Sequence, residues 1–223
     1  GAGTVRIYEF KENTGWTKLG ENINGEGEND RFGISVSINS KGDIVAIAAY
    51  LNSNNLENAG HVRVFKYEND NWNQLGNTIE GEVKNEQIGL VSINGYGNIL
   101  AVGAPMANYV IGSSKRGEVK IYKLHDENWI KIEYDLKGGD LPFGTSISLS
   151  QDGTMLSEGS GTVHSLTIDI DTPQTVSFTF SEENITEGSE SDVELIASLL
   201  YSANQEVTIP YTLSGTAESS EYS

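Results

Sequence analysis

The chain has no cysteine. That excludes disulfides, zinc–thiolate sites and cysteine nucleophiles. It does not exclude an extracellular setting, because large repeat domains stand without such staples. Basic residues are scarce: 14 Lys and Arg face 32 Asp and Glu, for a formal net charge of −18. A surface of that sign repels phosphate backbones, which argues against nucleic acid as a partner and disfavours anionic membranes. No apolar run approaches the roughly 20 residues that a membrane-spanning helix needs, so membrane insertion is not expected. No signal peptide opens the chain either. Hydrophobic residues make up only 37%, which suits thin β-blades better than a thick helical core. The acidity favours cations, calcium above all, and it serves solubility equally well.

What is present is repetition. Val5-Arg6-Ile7-Tyr8 returns as Val62-Arg63-Val64-Phe65 and as Val119-Lys120-Ile121-Tyr122, each step being 57 positions. Each copy then places a tryptophan after a polar turn: Trp16, Trp72 and Trp129. A repeat of this length points to a propeller or an array, because one unit cannot bury its own apolar face.

Each repeat reads as four short strands. The first alternates, with Val5 and Ile7 on one face and Arg6 and Tyr8 on the other. Turns rich in Asn, Asp and Gly follow, as in Asn13-Thr14-Gly15 and Asn69-Asp70-Asn71. The second strand carries the tryptophan, read as a packing anchor between neighbouring units. A glycine- and acid-rich loop, Asn24 to Asp30, comes next; its glycines suggest that it is floppy. The third strand is Phe32–Ile38, Ile88–Ile93 and Phe143–Leu149, apolar residues alternating with serine. Its second copy is one residue short, which flips every side chain unless a bulge absorbs the slip. The fourth, Ile44–Ala49 and Ile99–Ala104, sets large residues against small ones, as a strand sandwiched between two layers requires.

These features predict an all-β chain. Residues 1–160 read as a partial β-propeller of three four-stranded blades (1–58, 59–115 and 116–160). Residues 161–173 read as a strand and linker ending at Pro173, and 174–223 as an incomplete β-sandwich. The first residues lie close to a repeat's opening strand and the last fall in mid-motif, so the chain reads as a segment of a longer polypeptide.

Phe32-Gly33 and Phe143-Gly144 at strand starts, with Ile88-Gly89 followed by Leu100-Ala101-Val102-Gly103-Ala104-Pro105, resemble the FG-GAP repeat of integrin α-subunit propellers and bacterial surface proteins. That resemblance implies one blade per repeat and a role in extracellular adhesion. Many such blades carry a calcium loop of the Asp-x-Asp-x-Asp-Gly type. The corresponding turns here, Asn39–Asp43, Asn94–Asn98 and Ser150–Gly153, lack the acidic ladder, so blade calcium is not carried over. Thr186-Glu187-Gly188, Val207–Tyr211 and Gly215–Tyr222 resemble the start of a Calx-β module. By that resemblance Glu187 and Glu221 are candidate calcium ligands of an incomplete, weak site.

Catalytic chemistry is not legible. His61, His125 and His164 have no neighbours at metal or triad spacing and read as surface histidines, His125 in a turn. Asn24–Gly27 is no phosphate loop, since its acid repels phosphate and no helix follows. The expected function is non-enzymatic: an extracellular or cell-surface binding or adhesion module. Its expected partners are a protein or carbohydrate ligand and the remaining blades and modules of the parent chain. The alternatives are a propeller-type carbohydrate-active enzyme and a purely structural stalk.

Overall fold

The computed structural model describes residues 1–107, 117–137, 143–159, 163–167, 176–180 and 195–199. The chain forms two compact units, Gly1–Pro173 and Gln174–Ser223. Among the described residues every regular element is a β-strand, as the alternation predicts.

The first repeat opens with β1 (Thr4–Val5), β2 (Tyr8–Lys11), β3 (Gly15–Lys18) and β4 (Ile23–Asn24). Here β2 pairs with β3 and β1 with β4. The next sheet has the order β5 (Ser35–Ile38), β6 (Ile44–Ala49), β7 (His61–Glu68) and β8 (Asn71–Gln74). A short β9 (Ile79–Glu80) pairs with the start of β7. A third sheet repeats that order with β10 (Leu90–Ile93), β11 (Ile99–Ala104), β12 (Glu118–His125) and β13 (Asn128–Lys137). A fourth holds β14 (Ile147–Leu149), β15 (Met155–Gly159) and β16 (Val163–Thr167). In the second unit β17 (Val176–Phe180) pairs antiparallel with β18 (Leu195–Leu199). Val207–Tyr211, part of the Calx-β resemblance, lies outside the described residues.

The fold is thus all-β, a partial propeller followed by a strand pair. The blades, however, are out of phase with the sequence repeat. Each of the two larger sheets joins the third and fourth strands of one repeat to the first two of the next. The boundaries at 58/59 and 115/116 therefore fall within sheets. The cause is the fourth strand. All six residues of β6, and all six of β11, are buried. A strand with no exposed face also needs both its edges paired. Its own repeat supplies only one partner, so the next repeat's first strand supplies the other.

Three cores lie between successive sheets. Val45, Ile47 and Phe65 pack against Ile7, Ile23 and Phe32 of the first repeat. Ala46, Ala48, Val62 and Val64 pack against Val91, Leu100 and Val102. Ile99, Ala101 and Val119 pack against Phe143 and Leu156. The predicted large and small faces therefore meet each other: Ala46 and Ala48 make room for Leu100 and Val102. The short second copy keeps its register. Ser37 pairs with Ala46 as Ser92 pairs with Ala101, so the missing residue is absorbed ahead of β10 rather than inside it.

Candidate functional site

The tryptophans sit at one repeated position, opposite Phe10, Tyr67 and Leu124 on the preceding strand. The Trp72 indole N–H donates to the Leu19 carbonyl at 2.9 Å, and Trp129 does the same to Leu75 at 3.0 Å. Both carbonyls belong to a Leu-Gly step at the end of the previous outer strand. The glycines are required there. Both have positive φ, and a Cβ on either would lie 2.9 Å from the indole Cδ1. The inner strands are joined differently. Ser35 and Ser37 hydroxyls accept the backbone N–H of Val91 and Ile93, and Ser92 accepts that of Leu149.

The charged residues follow the same repeat. Arg63 and Lys120 occupy equivalent positions on β7 and β12, strands enclosed by sheets on both faces. Arg63 is 7% exposed and Lys120 1%. A buried cation needs carboxylate and hydrogen-bond partners. Arg63 Nη1 lies 3.0 Å from Glu26 Oε1, Nη2 donates to the Asn24 carbonyl at 2.9 Å, and the guanidinium stands 4.5 Å from the Phe32 ring centroid. Lys120 pairs with Glu86, with Glu82 at 3.0 Å and with Glu118 at 3.4 Å. Burial works to lower the Lys120 pKa, but the hydrogen bonds it donates to Glu86 and Glu82, with the charge of Glu86, outweigh it and hold the ammonium above its ordinary range.

These acids also order the loops that carry them. Asp30 is buried, and its carboxylate accepts the Gly27 N–H at 3.0 Å and the Asn52 side-chain amide at 2.7 Å. Glu86 accepts the N–H groups of Glu82 and Val83. The loop read as floppy is therefore anchored. Its glycine serves close approach, since a Cβ at Gly27 would meet the Asp30 carboxylate at 2.7 Å.

Over these anchors lies the loop from residue 50 to residue 60. Asn54 donates to Glu26 at 3.0 Å, and Asn55 to the Gly81 carbonyl at 3.3 Å. Asn58 donates to Asn85 at 3.1 Å, the Asn85 N–H donates to the Glu57 carbonyl at 2.9 Å, and Lys84 pairs with Glu57 at 2.6 Å. The result is one cross-braced platform of asparagine-rich loops, with Leu56 and Val83 exposed on it. Such loops, held by a rigid sheet scaffold, are where propellers and other β-folds place recognition. Of the acids beneath the platform, Glu26 is held by Arg63, Asp30 by loop amides, and Glu82 and Glu86 by Lys120.

His61 departs from expectation. It is 1% exposed, edge-on to Phe32 with ring centroids 6.4 Å apart. It stands on β7 beside Arg63, on a strand whose two faces are both covered. Burial and then the Arg63 charge push its pKa down. Neither ring nitrogen has a hydrogen-bond partner among the described residues. His125 is exposed and ends β12 rather than sitting in the turn, and His164 lies on β16.

The turns at the position of the FG-GAP cation loop are closed by their own side chains. Asn39 Oδ1 accepts the Asp43 and Ile44 N–H groups, and its amide donates to Asp43 Oδ1 at 2.9 Å. Asn94 repeats this with Asn98 and Ile99. Asp43 is further held by Lys41 at 2.6 Å. A side-chain N–H directed at the one carboxylate does not suit calcium, which takes six to eight oxygens. Among the described residues no group of three His, Asp or Glu could hold a metal ion. Glu187 and Glu221 lie outside the described residues.

No protein-family model matches this chain, and no curated protein does. Solved structures do share its architecture. The complex of KlAtg21 with the coiled-coil of AgAtg16 aligns at a TM-score of 0.51 with 11% identity, covering 86% of this chain and 57% of that one. A protein of Bacteroides uniformis ATCC 8492, described as a candidate 6-phosphogluconolactonase, aligns at 0.48 with 13% identity, covering 76% and 50%. This chain thus spans just over half the length of the first. The likeness to that first structure extends to the fold alone.

Proposed function

We propose that this chain is a non-enzymatic binding module of an extracellular or cell-surface protein, and that the loop platform is the face it presents. The observation that carries this reading is the bracing of the two loops. Five contacts join residues 54–58 to Glu26 and to residues 81–85, and buried Asp30 and Glu86 hold them from beneath. Pre-ordered loops lose little entropy on binding. Asparagine amides with exposed Leu56 and Val83 offer hydrogen bonds beside apolar contact, the mixture that a protein or carbohydrate ligand requires. The resemblance to FG-GAP and Calx-β modules supports the same setting, adhesion at a cell surface.

The test is adhesion of beads coated with the chain to cells and to arrayed glycans. Leu56→Asp and Val83→Asp should abolish adhesion while leaving the melting temperature unchanged. Adhesion that survives both variants, or turnover of a polysaccharide by the unmodified chain, would overturn the reading.

A further inference from the structure

The first repeat lacks what the other two have. The strand running from Thr4 to Lys11 is the counterpart of β7 and β12. Those strands pair along six residues with β6 and β11. In the first repeat, among the described residues, β1 and β2 pair only with β4 and β3, and all of β2 is exposed. Trp16 is 71% exposed, whereas Trp129 in its Leu-Gly seat is 3% exposed. Arg6, the counterpart of Arg63 and Lys120, is exposed and forms no ion pair among the described residues. Val36 and Ile38 are half exposed, while their counterparts Val91 and Ile93 are buried against the serines of β5.

These four deficits lie on the same side of the first repeat. Within this chain, each has its remedy in the preceding repeat. An inner strand completes the edge, a Leu-Gly step receives the indole, and an acidic loop receives the cation. A serine-bearing strand covers the apolar pair. We propose that this flank is a docking surface for a further propeller repeat of the same type, lying outside these 223 residues. Arg6 adds charge complementarity, because the Gly-Glu loop of such a repeat is acidic.

A second copy of the chain does not fit. Its Leu19 and Leu75 carbonyls already accept Trp72 and Trp129. The third counterpart of the Leu-Gly step reads Ile132-Glu133, and a Cβ at the glycine position collides with the indole. The inference does not depend on what the loop platform binds.

The test places a duplicate of residues 3–59 directly ahead of Gly3, so that the duplicate's Ala59 joins Gly3 as Ala59 joins Gly60. The duplicate's own tryptophan is replaced by phenylalanine, which leaves three indoles for labelling with 5-fluorotryptophan. The Trp16 signal is assigned with Trp16→Phe. In the unmodified chain the Trp16 fluorine resonance should shift between H2O and D2O, as an exposed indole does. In the extended chain that solvent shift should be lost, with the Trp72 and Trp129 resonances unmoved. A retained shift in the extended chain would overturn the proposal, as would failure of that chain to fold when the unmodified one does. A Trp16 signal already shielded in the unmodified chain would also overturn it. Shielding that grows with concentration would then identify a second copy as the occupant.

Discussion

The indole N–H of Trp72 donates to the carbonyl of Leu19, 53 positions earlier in the chain, and so ties one outer strand to the one before it. Trp129 repeats the bond to Leu75. Trp16 has no such seat among the described residues. Substitution of the three should therefore give graded effects. Trp129→Ala should cost about 3–5 kcal/mol through lost burial. Trp72→Phe should cost about 1 kcal/mol, chiefly the hydrogen bond. Trp16→Phe should fall within about 0.5 kcal/mol of zero. Urea unfolding followed by circular dichroism measures all three, and equal effects would contradict the repeat-to-repeat seat.

The glycine of that seat is open to its own test. Gly76 has φ +80°, and a Cβ there would approach the Glu127 carbonyl and the Trp129 ring at 2.9 Å. Gly76→Ala should cost about 1–3 kcal/mol. Gly15 also has positive φ but has nothing within 4 Å, so Gly15→Ala should cost less in the same experiment.

Lys120 and Glu86 are each 1% exposed and face each other. Lys120→Met should cost about 3–5 kcal/mol, because Glu86 is left as a buried, unpaired charge. Adding Glu86→Gln, which keeps an acceptor for the loop amides, should recover part of that loss. A double variant no more stable than Lys120→Met would show that the pair contributes through packing alone.

His61 makes a pH prediction. Its pKa is depressed in the folded chain below the ordinary 6.5, by burial and by Arg63. The unfolded chain therefore binds the proton first as the pH falls. The contribution of His61 to stability is complete above pH 6.5 and is lost as the pH drops through the folded value. Glu26 and Asp30 face the same ring and act against the shift. His61→Leu should flatten this part of the stability–pH profile relative to the unmodified chain. An unchanged profile below pH 6.5 would contradict it.

Calcium should bind weakly at best. The Asn39 and Asn94 turns are closed by their own side-chain amides. Calorimetry on the whole chain should give a dissociation constant no tighter than about 10⁻³ M. A micromolar site would contradict this, and Glu187→Gln would then show whether the second unit holds it.

The strands and the tryptophan positions were legible because both recur with the repeat. Blade membership was not, because a repeat in sequence has no intrinsic starting point. Only the two paired edges of β6 decide that it belongs with β7. The burial of His61 is not legible from the spacing of histidines, because it comes from sheets covering both faces of β7. The ionic layer did leave a signal: Arg63 and Lys120 recur together with Glu26 and Glu82, and with Asp30 and Glu86. An acid and a base that keep step through a repeat are structural partners. The loop platform left a weaker trace, since a run of asparagines reads equally well as a solvated loop.

Each repeat is completed by its neighbour, so that enclosed strands are stable and the unseated first hairpin is not. Amide hydrogen exchange read by mass spectrometry tests this most directly, because it ranks local stability along one chain. Exchange should be slow throughout β6, β7, β11 and β12, and fast throughout β2 and β3. Exchange in β2 and β3 as slow as in β6 and β7 would contradict it.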